Sequence, residues 1–417
     1  MVNFKKNNYY FLSVIYLLYI YSVNYKFLPL DSSKIIWLIL CLFILVRVLI
    51  ELNKGVVNIS LLRKYYPFFL YVALFIIVLF CSLFNGANNF TIPYYLIIYV
   101  IDYIPCAILI SYFCFKYNIN VVDLIVRVGV IQALLIFLML LIPSFKEMYG
   151  GIVSISGNIL DYYSYRGVGV TGFANYTVGT TQAMILCIYV LDLFKRERFK
   201  FLDLIRIGII FFSALFSSRS SIVVLLLFLS FILIFLIDKK YFWKKIVPLI
   251  FLIVLFFSIS IFYLISNQQV IDNNFIIKWA LEPVINYINF GELATKSSDT
   301  ISTFYFIPEY KTLFFGDWLY VNSDGTYYKS VDAGYMRILL YMGLPLSIFL
   351  YTTFTLSFLI FSLNLKFKLD RVFTIFFIFT IFVLNYKGNA FIDASAMFKL
   401  YFLYFTSILY ENYKNVT

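Results

Sequence analysis

Hydrophobic residues in this chain come in long runs separated by short polar joints. The runs are 9–25, 35–50, 67–84, 94–115, 121–142, 172–194, 203–217, 220–237, 246–265, 334–363, 372–386 and 396–411. A helix of about 20 residues crosses the roughly 30 Å hydrocarbon core of a bilayer, so each run reads as a membrane span. The pattern predicts an all-α polytopic membrane protein of about twelve transmembrane helices, with 1–417 forming a single membrane domain. Two polar stretches are longer than joints: 143–171 and 266–333, the latter 68 residues between spans nine and ten. Apolar stretches within it, Phe275 to Leu281 and Thr303 to Ile307, predict a folded cap rather than a tether.

Composition agrees with this reading. Hydrophobic residues make up 63% and charged residues only 13%, against about a quarter charged in soluble domains. Basic residues gather in alternate joints, as Lys54, Arg63 and Lys64; Lys116; Lys195, Arg196, Arg198 and Lys200; Lys239, Lys240, Lys244 and Lys245; and Lys366, Lys368 and Arg371. By the positive-inside rule these joints are cytoplasmic. Both termini then lie inside, as an even number of spans requires. The net charge of +12 is accounted for by that anchoring, and nucleic acid is not an expected partner. The run at 9–23 lacks a small-residue cleavage site and is read as the first span, not a cleavable leader.

The five cysteines fall inside apolar runs and histidine is absent, which argues against disulfides and zinc. A transient Mg²⁺ held by carboxylates and substrate phosphates is left open. Of the aromatics, 37 are Tyr and 49 Phe, and tyrosines at span ends are read first as an interfacial belt, then as surfaces for sugar stacking.

Charges outside the cytoplasmic joints are few. Arg219 stands alone in Ser217-Ser218-Arg219-Ser220-Ser221, at the external tip of a membrane hairpin. An external guanidinium is suited to holding a phosphate; alternatively the serines cap helix ends and Arg219 faces water. Arg166 opens a glycine-rich run ending at Gly172, just before span six, where backbone can approach an anion closely. Asp332 and Arg337 flank the start of span ten, with Tyr335 on the face of Asp332. Asp332 is read as either an N-cap or a chemical carboxylate, and Arg337 as facing either the bundle interior or the surface. Asp102 lies within span four, Asp123 and Arg127 are placed to pair along span five, and Lys387 and Asp393 occupy the last external turn.

Three stretches together resemble the O-antigen and capsular polysaccharide repeat-unit polymerases (Wzy type) of the O-antigen polymerase/ligase superfamily. They are Arg166-Gly167 through Gly172-Phe173-Ala174-Asn175, the Ser218-Arg219-Ser220 hairpin, and Asp332-x-x-Tyr335 followed by Gly343-Leu344-Pro345. The resemblance implies a glycosyltransferase of the membrane C-type class in a bacterial cytoplasmic membrane, its site facing the exterior. It would join undecaprenyl-diphosphate-linked oligosaccharide units without cofactor or metal, with a flippase and a chain-length regulator as partners. Arg166, Arg219 and Arg337 would hold the diphosphate and Asp332 would take the acceptor proton. Tyr335, Lys387, Asp393, Gly172 and Asn175 would line the substrate. The related ligases carry a histidine where Asp332 stands, which disfavours a ligase; a lipid flippase is the other competing reading.

Overall fold

The computed structural model describes residues 2–52, 63–87, 89–154, 166–171, 176–196, 200–236, 266, 282, 285–292 and 296–414. Gly172, Asn175, the run 246–265 and the stretch Phe275 to Leu281 lie outside them. Every other apolar run coincides with a helix. In chain order the helices are α1 (Val2–Tyr21), α2 (Ser32–Leu52), α3 (Phe69–Phe84), α4 (Thr91–Lys116) and α5 (Val121–Leu141). Then come α6 (Pro143–Ile152), α7 (Tyr176–Arg196), α8 (Phe201–Ser217), α9 (Ser220–Leu236), α10 (Lys296–Thr303) and α11 (Tyr310–Phe315). The last four are α12 (Gly334–Ser362), α13 (Lys368–Asn385), α14 (Ala390–Asp393) and α15 (Ser395–Lys414). Among the described residues the only strand-like pairings are the isolated bridges Tyr25–Val153 and Val321–Tyr327.

Among the described residues five segments are long and apolar enough to cross a bilayer: Tyr66–Phe84, α4, α5, α7 and α12. By length and composition this is a helical membrane protein. The chain divides into two compact units, one made of 1–22, 30–125 and 301–417, the other of 23–29 and 126–300.

In the first unit α15 packs along α4, and α12 along α13. The core between them is aromatic. Phe354, Phe358, Phe377, Phe398, Tyr401 and Phe402 interlock, with ring centroids 4.5 Å apart for Phe377–Tyr401 and 4.7 Å for Phe354–Phe358. Lipid is as apolar as these side chains, so close packing rather than exclusion from solvent holds such helices together. The interfacial-belt reading of tyrosine therefore covers only part of them. Tyr16, Tyr19, Tyr71, Tyr103, Tyr341, Tyr401 and Tyr404 are fully buried. Several find polar partners across helices, as Tyr401 does with Thr374 at 3.0 Å and Tyr404 with Asp370 at 3.2 Å.

Asp102 sits on a π-helical turn, Tyr99–Tyr103, within α4. There it accepts from the Tyr19 hydroxyl at 3.2 Å, while the indole of Trp37 donates to the Ile101 carbonyl at 2.6 Å. Lys399 is buried beside it and donates to the Tyr19 carbonyl at 2.9 Å and the Ser22 hydroxyl at 2.6 Å. These bonds tie α1, α4 and α15 together.

Helix α12 is broken. Gly343 has φ 73° and ψ 171°, and Pro345 has no N–H to give to the Tyr341 carbonyl. The two freed carbonyls are met from outside the helix: Asp317 N–H donates to Leu340 O at 2.7 Å, and Trp318 N–H to Tyr341 O at 2.9 Å. Irregular backbone within a membrane helix persists only where protein satisfies it in this way. The segment 266–333 thus contributes buried structure at Trp318, which is 5% exposed.

In the second unit α7 is the central helix, with 83% of its apolar window buried and with α8 and α9 packed against it. Two glycines allow the approach. A Cβ at Gly179 would lie 2.7 Å from the Ala214 carbonyl oxygen, and one at Gly129 would lie 2.7 Å from the side chain of Ile185.

Candidate functional site

Within the first unit, the start of α12 gathers the chemistry. The N-cap of α12 is Ala333, not Asp332, and Asp332 makes no capping bond. Because Asp332 precedes the helix instead of opening it, its carboxylate can turn toward Arg337 despite their offset in helical register. Arg337 Nη1 lies 3.8 Å from Asp332 Oδ1, which is an ion pair but too long for a hydrogen bond. The Arg337 side chain is 4% exposed. Its Nε and Nη1 have no hydrogen-bond partner. A buried donor left unmatched costs about 1–3 kcal/mol, so such an arrangement calls for a function.

Two tyrosines hold the guanidinium instead. Its centre lies 4.2 Å from the ring of Tyr320 and 3.6 Å from that of Tyr327. With two rings packed against it, the cation keeps its unmatched Nε and Nη1 donors for an anion. The first-turn N–H groups of α12 add the positive end of a helix dipole. The Tyr320 hydroxyl accepts from Asn389 Nδ2 at 3.2 Å, and Asn389 Oδ1 is buried without a partner. Arg337, Asp332 and Asp393 interact electrostatically with one another, and Lys387 acts on Asp332. The sequence had singled out these four charges, and the structure brings them together.

Asp332 keeps 54% of its side-chain surface yet is walled by enough protein that lost solvation raises its carboxyl above the usual value, against the pull of Arg337 and Lys387. Burial pushes Asp393 up to about 6, Arg337 opposing and Asp332 adding to the rise. A pH dependence follows. Sulfate, a probe for anion binding at Arg337, has no ionisation near neutrality, so titration there reports the protein. Its affinity should rise severalfold as pH falls through 6, where Asp393 becomes neutral and stops competing for Arg337, and Asp393→Asn should flatten the profile. A titration series across that range checks this. For stability the same raised pKa acts in the same direction: the folded chain binds the proton more tightly, so the contribution is present in acid and lost as pH rises through 6.

Tyr335 stands apart from this cluster in its bonding. Its hydroxyl donates to the Phe382 carbonyl at 2.8 Å, which fastens α12 to α13. Sequence reasoning missed Tyr320, Tyr327 and Asn389. It also missed Asp317, whose carboxylate accepts from Thr312 at 2.7 Å and from Tyr328 at 3.0 Å and pairs with Lys329 at 3.3 Å.

The second unit holds Arg166 and Arg219. Arg219 occupies the turn between α8 and α9, where Ser218 Oγ accepts the Ser220 N–H at 3.1 Å, so one of the four serines meets a free N–H at the start of α9. Its guanidinium is paired with Glu282, the two side chains being 14% and 21% exposed. Arg166 heads the segment 166–171, which Gln132 clasps from the middle of α5. Gln132 Oε1 accepts from Val170 N–H at 2.8 Å, and its Nε2 donates to Val168 O at 3.2 Å. Lys146 of α6 points inward and donates to the Arg166 carbonyl at 3.1 Å, and burial holds its ammonium down to about 8.

No family model, curated protein or solved structure matches the chain. The functional reading therefore stands on the residues themselves. Among the described residues no cluster of three metal-ligating side chains occurs.

Proposed function

We propose that the chain is a repeat-unit polymerase of surface polysaccharide, embedded in a bacterial cytoplasmic membrane with its site at the outer leaflet. In this reading it crosses the membrane twelve times with both termini in the cytoplasm, and 266–333 forms a cap over the site. Its substrates are oligosaccharides carried on undecaprenyl diphosphate. The observation that carries the reading is the Arg337 guanidinium, buried at a helix start with edge donors unmatched.

The chemistry needs that arrangement. The anomeric C–O bond to the diphosphate breaks, a new bond forms to an acceptor hydroxyl, and the leaving diphosphate gains negative charge. A fixed guanidinium edge with helix N–H groups beside it stabilises that developing charge more than the ground state. The acceptor proton passes to the Asp332 carboxylate, which stands 3.8 Å from Arg337. No step is assigned to Arg219, whose charge is met by Glu282.

Purified protein given one defined lipid-linked repeat unit should yield a ladder of products differing by whole units, with free undecaprenyl diphosphate released in step. A single transfer to an unrelated acceptor would indicate a ligase instead. Movement of intact substrate between leaflets without product would indicate a flippase.

A further inference from the structure

Tyr320 and Tyr327 cover the same guanidinium but are held differently. Tyr320 is 5% exposed, takes a hydrogen bond from Asn389, and packs edge-on against Tyr341 with centroids 6.3 Å apart. It is fixed. Tyr327 is 40% exposed and rides on a short hairpin closed by Asn322 N–H to Thr326 O at 2.8 Å and by the bridge Val321–Tyr327. The hairpin tip from Ser323 to Thr326 is exposed, and on the other side the chain leaves through Lys329 and Ser330, two consecutive non-glycine residues at φ 52° and 54°. Consecutive residues in that conformation are costly and gather at clamps and switches.

An aromatic ring that can leave a cation has a face to offer elsewhere. The Arg337 edge donors Nε and Nη1 are buried without partners, so a phosphoryl oxygen reaches them as the Tyr327 ring moves off, and in a glycosyl diphosphate the sugar ring is joined directly to that phosphate. Once the phosphate neutralises Arg337, the attraction between the cation and the Tyr327 ring weakens, and the ring is free for the apolar C–H face of the sugar.

We propose that Tyr327 is the sugar platform of this site. It shields the guanidinium when no substrate is bound and stacks on the first sugar of the glycosyl diphosphate when one is. Tyr320 stays in place as the permanent backing of the cation. The substrate class is thus a lipid diphosphate carrying a pyranose, distinguished from the bare lipid diphosphate released as product by contact with one ring. This rests on the reading of Arg337 as the diphosphate clamp.

The test is a binding titration on the full-length protein in detergent, with undecaprenyl diphosphate and with the same lipid bearing one N-acetylhexosamine. Tyr327→Ala should bind the bare diphosphate about fivefold tighter, since no ring has to be displaced, and the glycosylated lipid about fivefold weaker. Tyr327→Phe, which keeps the ring, should stay within about twofold of the parent for both. Shifts in the same direction for the two lipids, or none, overturn the proposal. Binding needs no turnover, so opposed shifts in Tyr327→Ala alongside a parent protein that makes no ladder would sink the polymerase reading alone. A parent that binds neither lipid would sink both.

Discussion

Arg337→Met should abolish the polymer formation proposed for this chain while leaving the folded protein as stable as the parent or slightly more so. A positioned charge donor at a developing oxyanion typically contributes about 10²–10³-fold in rate, and methionine offers no donor. The stability expectation comes from what Arg337 lacks. Its Nε and Nη1 are buried without partners, each a cost of about 1–3 kcal/mol, and the substitution removes that cost. Against this stand two ring contacts of about 0.5–2 kcal/mol each. The carboxylate at Asp332 is too exposed to suffer greatly from losing a cation 3.8 Å away, and Asp393 can take up a proton. A structural arginine behaves oppositely: its loss lowers thermal stability, and activity falls only in step. Melting temperature in detergent, measured beside the product ladder, separates the cases. Arg337→Lys keeps the charge but not the flat edge beside two rings, so it should recover little activity. Persistent polymer in Arg337→Met would remove this residue from the site.

The same contrast explains which parts of the site could be read from the residues. Arg337 and Asp332 were visible because charge at the mouth of an apolar run is expensive and therefore rare. Lys387 and Asp393 were visible for the same reason. Tyr320 and Tyr327 were not, because two functional rings among 37 tyrosines carry no mark of their own. What distinguishes them is a distance to a guanidinium, which arises only when the segment before α12 folds back on that helix. Lys146 was hidden in a stretch read as external loop; it became notable only once α6 was seen to turn it inward with its amine on the Arg166 carbonyl. The long apolar helices were legible in the described residues because a lipid-facing helix needs an unbroken apolar run, whereas the short α6, α10, α11 and α14 have no such run and were not. Nor was the tyrosine core. An interfacial and an interior tyrosine have the same composition, and the difference depends on whether another helix supplies a partner such as Thr374.

Gly343→Ala should be the most damaging single-methyl change in the first unit, and Gly316→Ala should nearly match it. The Gly343-Leu344-Pro345 sequence marks a break, but its counterpart lies 27 positions earlier and could not be inferred from spacing. Gly343 and Gly316 both adopt φ near 74°, a left-handed conformation that costs an L-residue about 1–2 kcal/mol. They also meet back to back. A Cβ on Gly343 would lie 2.6 Å from the Phe314 carbonyl carbon and 2.9 Å from Phe315 N. One on Gly316 would lie 2.7 Å from the Tyr341 carbonyl carbon and 2.8 Å from Gly343 N. These neighbours are backbone and cannot swing aside, so the methyl must push the segment away from the helix. That separation breaks the bonds from Asp317 and Trp318 to the Leu340 and Tyr341 carbonyls, leaving two acceptors unmatched inside the unit at about 1–3 kcal/mol each. Together these terms predict a loss above about 3 kcal/mol, seen as a large drop in melting temperature. Gly325→Ala is the control. Its φ of 81° is similarly left-handed, but no atom lies within 4 Å of the added methyl, so only the conformational cost remains. If Gly343→Ala melts with Gly325→Ala, the segment does not close the break in α12. Arg337 and its two tyrosines would then have no fixed frame, because Tyr320 and Tyr327 follow Trp318 directly on the strand of chain that the break anchors.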